Sequence, residues 1–158
     1  MAADRQLSEF LKSAVDPMLK AADDKVLLLS CIDLRFPNRI TEAMDDLSYR
    51  GRYYHLAMAG ASHAAKHSAE WTKAFEDHLE FVLAHGPVKG LIIFDHMDCA
   101  AFHNYEGTSP GDPDGERQKH IDVMTMVTAA VVKKYPQLAT HVFGYLLPKE
   151  LVEQIIHV

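Results

Sequence analysis

An α/β domain with a mainly parallel central sheet flanked by helices is the architecture this sequence predicts, and three observations predict it. Short, continuously apolar segments stand where buried parallel strands belong. Stretches of helical periodicity separate them. The order is a helix followed by repeated strand and helix units, which requires crossover connections and so favours parallel neighbours.

Residues 1–24 read as an amino-terminal helical arm. The run Val26-Leu27-Leu28-Leu29-Ser30-Cys31 is the first strand. Pro37 suits the first turn of a helix reaching about Leu47, because its missing N–H is one that a helix start leaves unpaired anyway. After Gly51 comes a second strand, Tyr53 to Met58. Ser68 caps the next helix, in which Trp71, Phe75, Leu79, Val82 and Leu83 recur at three- and four-residue steps. One face is therefore buried, with Glu76, His78 and Glu80 off it. Gly86-Pro87 leads into a third strand, Val88 to Phe94, which runs on towards His96. A helix from about Glu116 to Tyr135 is stopped by Pro136, Thr140 to Leu147 makes a fourth strand, and Pro148 opens a short last helix. In the doubly wound order 2-1-3-4, strands one and three are neighbours whose connections leave in opposite directions. A crevice opens between their carboxyl ends.

The 158 residues, 48% of them hydrophobic, suffice for one compact domain over 1–158, and no Ser/Gly/Pro-rich linker divides them. A net charge of -6 with scattered Lys and Arg offers no field for nucleic acid. Asp4, Arg5 and Glu9 leave no hydrophobic signal region at the start, and no apolar stretch approaches the roughly 20 residues needed to cross a bilayer. A cytoplasmic protein with reduced thiols is expected.

Two phrases carry the chemistry: Cys31-Ile32-Asp33-Leu34-Arg35 and His96-Met97-Asp98-Cys99. Both begin where a strand runs out, so the predicted crevice brings them together. They offer two thiolates and one imidazole to a single zinc ion per chain. Structural zinc is normally closed by four protein ligands, whereas catalytic zinc keeps three and leaves a position for water or substrate. No third cysteine is present to close the site. Zinc lowers the pKa of bound water to about 7 in a suitable site, making hydroxide available as a nucleophile. Two thiolates neutralise the metal more than imidazoles do, so activity is expected to favour alkaline pH. Asp33 can accept the hydrogen bond that aims the hydroxide, and Arg35 can hold Asp33 as an anion. Plainer alternatives stand beside these: two buried cysteines, a disulfide, or an Asp33–Arg35 ion pair that is only structural.

The paired phrases resemble the Cys-x-Asp-x-Arg and His-x-Asp-Cys segments of the β-class carbonic anhydrases, and the likeness extends over the strand framework from about Val26 to Tyr145. The resemblance implies zinc on Cys31, His96 and Cys99, and a catalytic dyad of Asp33 and Arg35. It also implies a homodimer or higher homo-oligomer in which the amino-terminal helix packs on the partner. The sequence departs from the family at Ala57-Met58-Ala59-Gly60-Ala61, where most members have Arg-Asn-Ala-Gly-Asn, and at Ala100, which stands for a glycine. It is a short form, particularly after Cys99.

Reversible hydration of carbon dioxide to bicarbonate by zinc-bound hydroxide is the leading expectation. Hydrolysis of carbonyl sulfide or carbon disulfide is an alternative, and so is a non-catalytic zinc protein of the same fold. Asp98 is expected to stabilise its loop rather than bind metal. Of the ten histidines, His63, His67, His78, His85, His120 and His157 read as residues of solvated helical faces. His55 and His103 are candidate proton shuttles without a motif to fix them. The tract 104–115 reads as a mobile surface loop, and Met124, Met126, Val127, Val131 and Val132 as core or interface packing.

Overall fold

The computed structural model of the chain describes residues 24–86, 88–147 and 153–158. Eight regular elements alternate along it: β1 (Lys25–Ser30), α1 (Pro37–Asp46), β2 (Tyr53–Ala57), α2 (Ala69–His85), β3 (Val88–His96), α3 (Pro113–Lys134), β4 (Val142–Leu147) and β5 (Glu153–His157). They form a mixed five-stranded sheet of order β2-β1-β3-β4-β5, parallel except for β5, which runs antiparallel to β4. The expected 2-1-3-4 order is thus its parallel core.

The continuous apolar runs are explained by burial of both sheet faces. Successive side chains of a strand point to opposite faces. Leu27, Leu29, Leu91 and Ile93 accordingly join Phe75, Leu79 and Val82 of α2 and Val123, Met124, Val127 and Val131 of α3. Val26, Leu28, Ile92 and Phe94 face the other way, onto Ile40, Ala43 and Met44 of α1. Helix α2 starts where the Ser68 hydroxyl accepts the Trp71 N–H, and α3 where Asp112 accepts that of Gly115 with Pro113 in the first turn. A side chain at Gly144 would collide with Met124, so the bare backbone of β4 is what lets α3 lie so close.

The end of the chain corrects one expectation. Pro148 and the expected last helix's first residues lie outside the described residues, but Glu153–His157 is a strand rather than a helix. Its Ile156 pairs opposite Gly144 and packs against the core, which a β-branched residue does well on a sheet edge. The arm expected over 1–24 lies outside the described residues apart from Asp24. The tract 104–115 is also more ordered than a bare loop: Phe102–Glu106 winds as a π-helical turn ending at Gly107 in the left-handed region, and α3 begins at Pro113. Among the described residues, no helix is long and apolar enough to cross a membrane.

Because Ser30 of β1 pairs with Phe94 of β3, Cys31 and His96 emerge at adjoining strand ends. Connections leave β1 towards β2 and β3 towards β4, on opposite sides. The crevice between them is the topological switch point.

Candidate metal centre

Three donors meet in that crevice. Cys31 is the residue after β1, His96 is the last residue of β3, and Cys99 precedes the short helical turn that follows. Their ligating atoms all lie within 4.8 Å of one another. Cys99 and His96 are buried and Cys31 half-buried, and both cysteines are free thiols.

His96 is set for ligation by its surroundings. A carbonyl oxygen only accepts, so the 2.8 Å contact between Nδ1 and the Met97 carbonyl fixes the ring proton on Nδ1. The lone pair of Nε2 is left for the cluster. That atom is buried and has no hydrogen-bond partner among the described residues. The Phe36 ring stacks on the imidazole at 4.5 Å and holds its plane. A buried, unpaired imidazole nitrogen beside two thiols is costly unless something accepts its lone pair. Nitrogen and sulfur donors of this kind suit zinc, so the residues fit the ion that the sequence predicts.

The electrostatics of the two thiols divide. A hydrogen bond from Cys99 lowers the Cys31 thiol to about 4 against the opposing effect of burial, with smaller help from His96 and from the Gly60 N–H, which reaches Sγ at 3.3 Å. The same contact with Cys31, together with burial, pushes the Cys99 thiol up. Burial opposes charging of His96, but Cys31 and the Met97 carbonyl make the net shift upward.

Asp33 and Arg35 stand at the rim. Arg35 Nε and Nη2 grip the two Asp33 oxygens at 3.0 and 2.8 Å, and the Arg35 backbone N–H adds a third bond at 2.9 Å. Those bonds hold the Asp33 carboxyl at about 2. Nη1 reaches Asp98 Oδ2 at 3.0 Å, and Nη2 also reaches the Asp98 carbonyl at 2.8 Å. Arg35 therefore ties the two sequence phrases together. Asp98 turns its other oxygen to His103 at 3.3 Å, as befits a loop-stabilising carboxylate. A cleft of about 500 Å³ opens beside this group, lined by Arg35, Phe36, Met97, Asp98, Glu116 and Leu147 among others.

No protein-family model matches the chain. An uncharacterised protein of Rickettsia bellii is 25% identical over 120 residues, covering 74% of this chain and 73% of that protein. Another, of Rickettsia conorii, is 26% identical over 135 residues, covering 84% and 72%. Solved structures decide the architecture. A β-carbonic anhydrase of Aspergillus fumigatus superposes with a TM-score of 0.53 over 90% of this chain and 94% of its own, at 11% identity. The fold is that of the β-carbonic anhydrases. Tetrameric β-carbonic anhydrases of Sordaria macrospora give 0.51 over 96% of this chain and 86% of theirs at 13% identity. The carbonic anhydrase of Streptococcus mutans gives 0.50 over 83% and 81% at 14% identity.

Five residues around the centre escape a reading by motif. Gly60, with φ +76, holds its N–H on Cys31, and a Cβ there would stand 2.9 Å from that of Ala101. Ser62, Asp95, Glu116 and His120 form a buried polar cluster behind Cys99. His120 is thus no solvated residue: it has no exposure, because it continues the stripe of Val123, Val127 and Val131 on the face of α3 that meets the sheet. His63 is likewise buried, stacked on Tyr105 and bonded to Glu106 and His67. Their signals existed in the sequence. Asp95 directly follows the apolar run Leu91-Ile92-Ile93-Phe94 of a buried strand, and a buried carboxylate must have partners.

Proposed function

We propose that this protein is a zinc-dependent catalyst of the reversible hydration of carbon dioxide to bicarbonate, with Cys31, His96 and Cys99 holding one zinc per chain. The observation that carries the reading is the unpartnered, buried Nε2 of His96, gathered with two thiol sulfurs beneath an Asp–Arg pair. When bound, zinc lowers the pKa of coordinated water and so supplies hydroxide near neutral pH.

The chain's own residues supply orientation and charge. Asp33 is an acceptor held in place by three bonds from Arg35, with Oδ2 3.6 Å from His96 Nε2. An ionised carboxylate only accepts, so Asp33 would take a hydrogen bond from the attacking hydroxide and so orient its lone pair towards the substrate carbon. Arg35, anchored on Asp98 as well, keeps Asp33 anionic. The cleft beside Arg35 and Phe36 runs next to the Asp33–Arg35 pair and has room for a small linear molecule.

We also read the protein as a homo-oligomer. Ile32 and Leu34, on either side of Asp33, are 63% and 88% exposed, an apolar rim that a second copy would cover. The free thiols suit a reducing, cytoplasmic setting. Metal analysis of the purified protein and stopped-flow hydration of carbon dioxide test the proposal together. Stoichiometric zinc with hydration well above the buffer rate is expected. Zinc without hydration, but with turnover of carbonyl sulfide, would transfer the activity to that substrate.

A further inference from the structure

Behind the donor cluster lies a chain of buried polar groups that touches the site at both ends. At one end, the backbone N–H of Cys99 donates to Glu116 Oε1 at 3.0 Å. At the other, the N–H and hydroxyl of Ser62 donate to the two oxygens of Asp95 at 3.0 and 2.5 Å. His120, one turn along α3 from Glu116, donates from Nδ1 to Asp95 Oδ2 at 2.9 Å, while its buried Nε2 faces Glu116 Oε1 at 3.7 Å without a hydrogen bond among the described residues, so α3 itself links the two anchors. All four residues are at most 2% exposed.

The two anchored N–H groups occupy equivalent places. Each follows a non-glycine residue with positive φ, Ala61 at 43° before Ser62 and Asp98 at 55° before Cys99. Side-chain-bearing residues adopt that conformation only where surrounding structure enforces it. Each strained turn also presents something to the metal centre. The Ala61 turn carries Gly60, whose N–H binds Cys31 Sγ, and the Asp98 turn carries Cys99 itself.

We propose that Asp95, His120 and Glu116 form one buried brace that fixes both turns relative to each other and so sets the affinity and geometry of the metal centre. The brace residues are positioning residues: none is among the three donors. Loss of His120 would take one of the three donors to Asp95, and loss of Glu116 would leave the Cys99 N–H without its acceptor, so either change would loosen the turn anchored there. Loss of such partners behind a ligand typically weakens metal binding 10- to 100-fold.

The inference rests on the zinc reading above, and its test separates the two. Zinc dissociation constants are measured by competition with a chromophoric chelator for the parent protein and for Glu116→Ala, His120→Leu and His120→Asn. The thiolate-to-metal absorption of the cobalt-loaded proteins and the melting of the metal-free proteins are followed in parallel. Glu116→Ala and His120→Leu should bind zinc 10- to 100-fold more weakly and shift the cobalt band. His120→Asn, whose amide can still donate to Asp95, should recover most of the affinity. Should the larger changes prevent folding, Ser62→Ala removes a single buried donor, and a several-fold weaker zinc affinity is expected of it. A parent protein that binds no zinc refutes the metal centre itself. A parent that binds zinc, with folded variants that melt lower yet hold zinc within twofold of it, refutes the brace alone.

Discussion

Asp33 Oδ2 lies 3.6 Å from His96 Nε2 while both oxygens of Asp33 are gripped by Arg35. The carboxylate is close enough to the donor cluster to compete for the same ion, and the guanidinium is what engages it elsewhere. A bidentate Arg–carboxylate pair has the geometry to win that competition. Arg35→Ala should therefore free Asp33 to turn onto the zinc, lowering hydration strongly while zinc stays bound. X-ray absorption of the variant would show an added oxygen ligand from the protein. Parent-like turnover in Arg35→Ala would mean that the pair does not govern access to the metal.

The donor assignment makes a sharper demand. Cys31→Ser, His96→Ala and Cys99→Ser would each remove one of the three proposed ligands, and a hydroxyl is a poor substitute for thiolate on zinc. Each variant should lose most of its zinc on dialysis against a mild chelator. Full occupancy after Cys99→Ser would disprove the assignment. Asp33→Ala, by contrast, touches no donor, so zinc should stay at one per chain while hydration falls by about 10²-fold, the scale of a misaimed nucleophile.

The Asp33–Arg35 pair also sets a pH dependence. Bonds from Arg35 depress the folded Asp33 carboxyl to about 2, below its ordinary 3.8. A depressed acid contributes stability that is fully present above the ordinary value and is lost as pH falls through the folded one. In the metal-free protein, the carboxyl carbon of Asp33 should keep its ionised NMR shift from pH 8 down to 4 and change only below about 3. Arg35→Ala should move that titration up towards the ordinary range. An Asp33 that titrates near 4 in the parent would show the pair to be loose in solution.

How much of this was legible in the sequence follows from what each signal depends on. Apolar runs and helical stripes report burial, so β1, β3, β4 and the three helices were readable, and the common doubly wound order 2-1-3-4 matches the parallel core. The meeting of Cys31, His96 and Cys99 was readable because both phrases begin at the ends of neighbouring strands. Strand β5 was not, since Glu153-Gln154-Ile155-Ile156-His157 shows no strict alternation and is held by its edge pairing with β4. His120 differs from the solvated reading because a histidine three positions before an apolar stripe looks exposed until its partners are known, and Glu116 carries no signal beyond its place at a helix start. Only the tertiary structure brings Asp95 and Cys99 to them. Gly60 was noticed as a retained small residue, but its N–H contact with Cys31 depends on a turn that sequence alone does not define.

That turn yields the last prediction. Gly60 adopts φ +76, where side chains are strained, and a Cβ there would approach Ala101 Cβ to 2.9 Å and His63 Cβ to 3.1 Å. Neither neighbour is the free end of a flexible chain, so the turn itself must shift. The left-handed conformation alone costs roughly 1–2 kcal/mol for an L-residue, and crowding adds to it. Gly60→Ala should lower unfolding free energy by at least about 1 kcal/mol. It should also weaken zinc, because the displaced N–H no longer donates to Cys31 Sγ and the thiolate loses a partner. Denaturant melts and chelator competition on one preparation measure both effects. A variant that loses stability and keeps parent zinc affinity would confine Gly60 to the fold, and one that keeps both would show that the turn yields without cost.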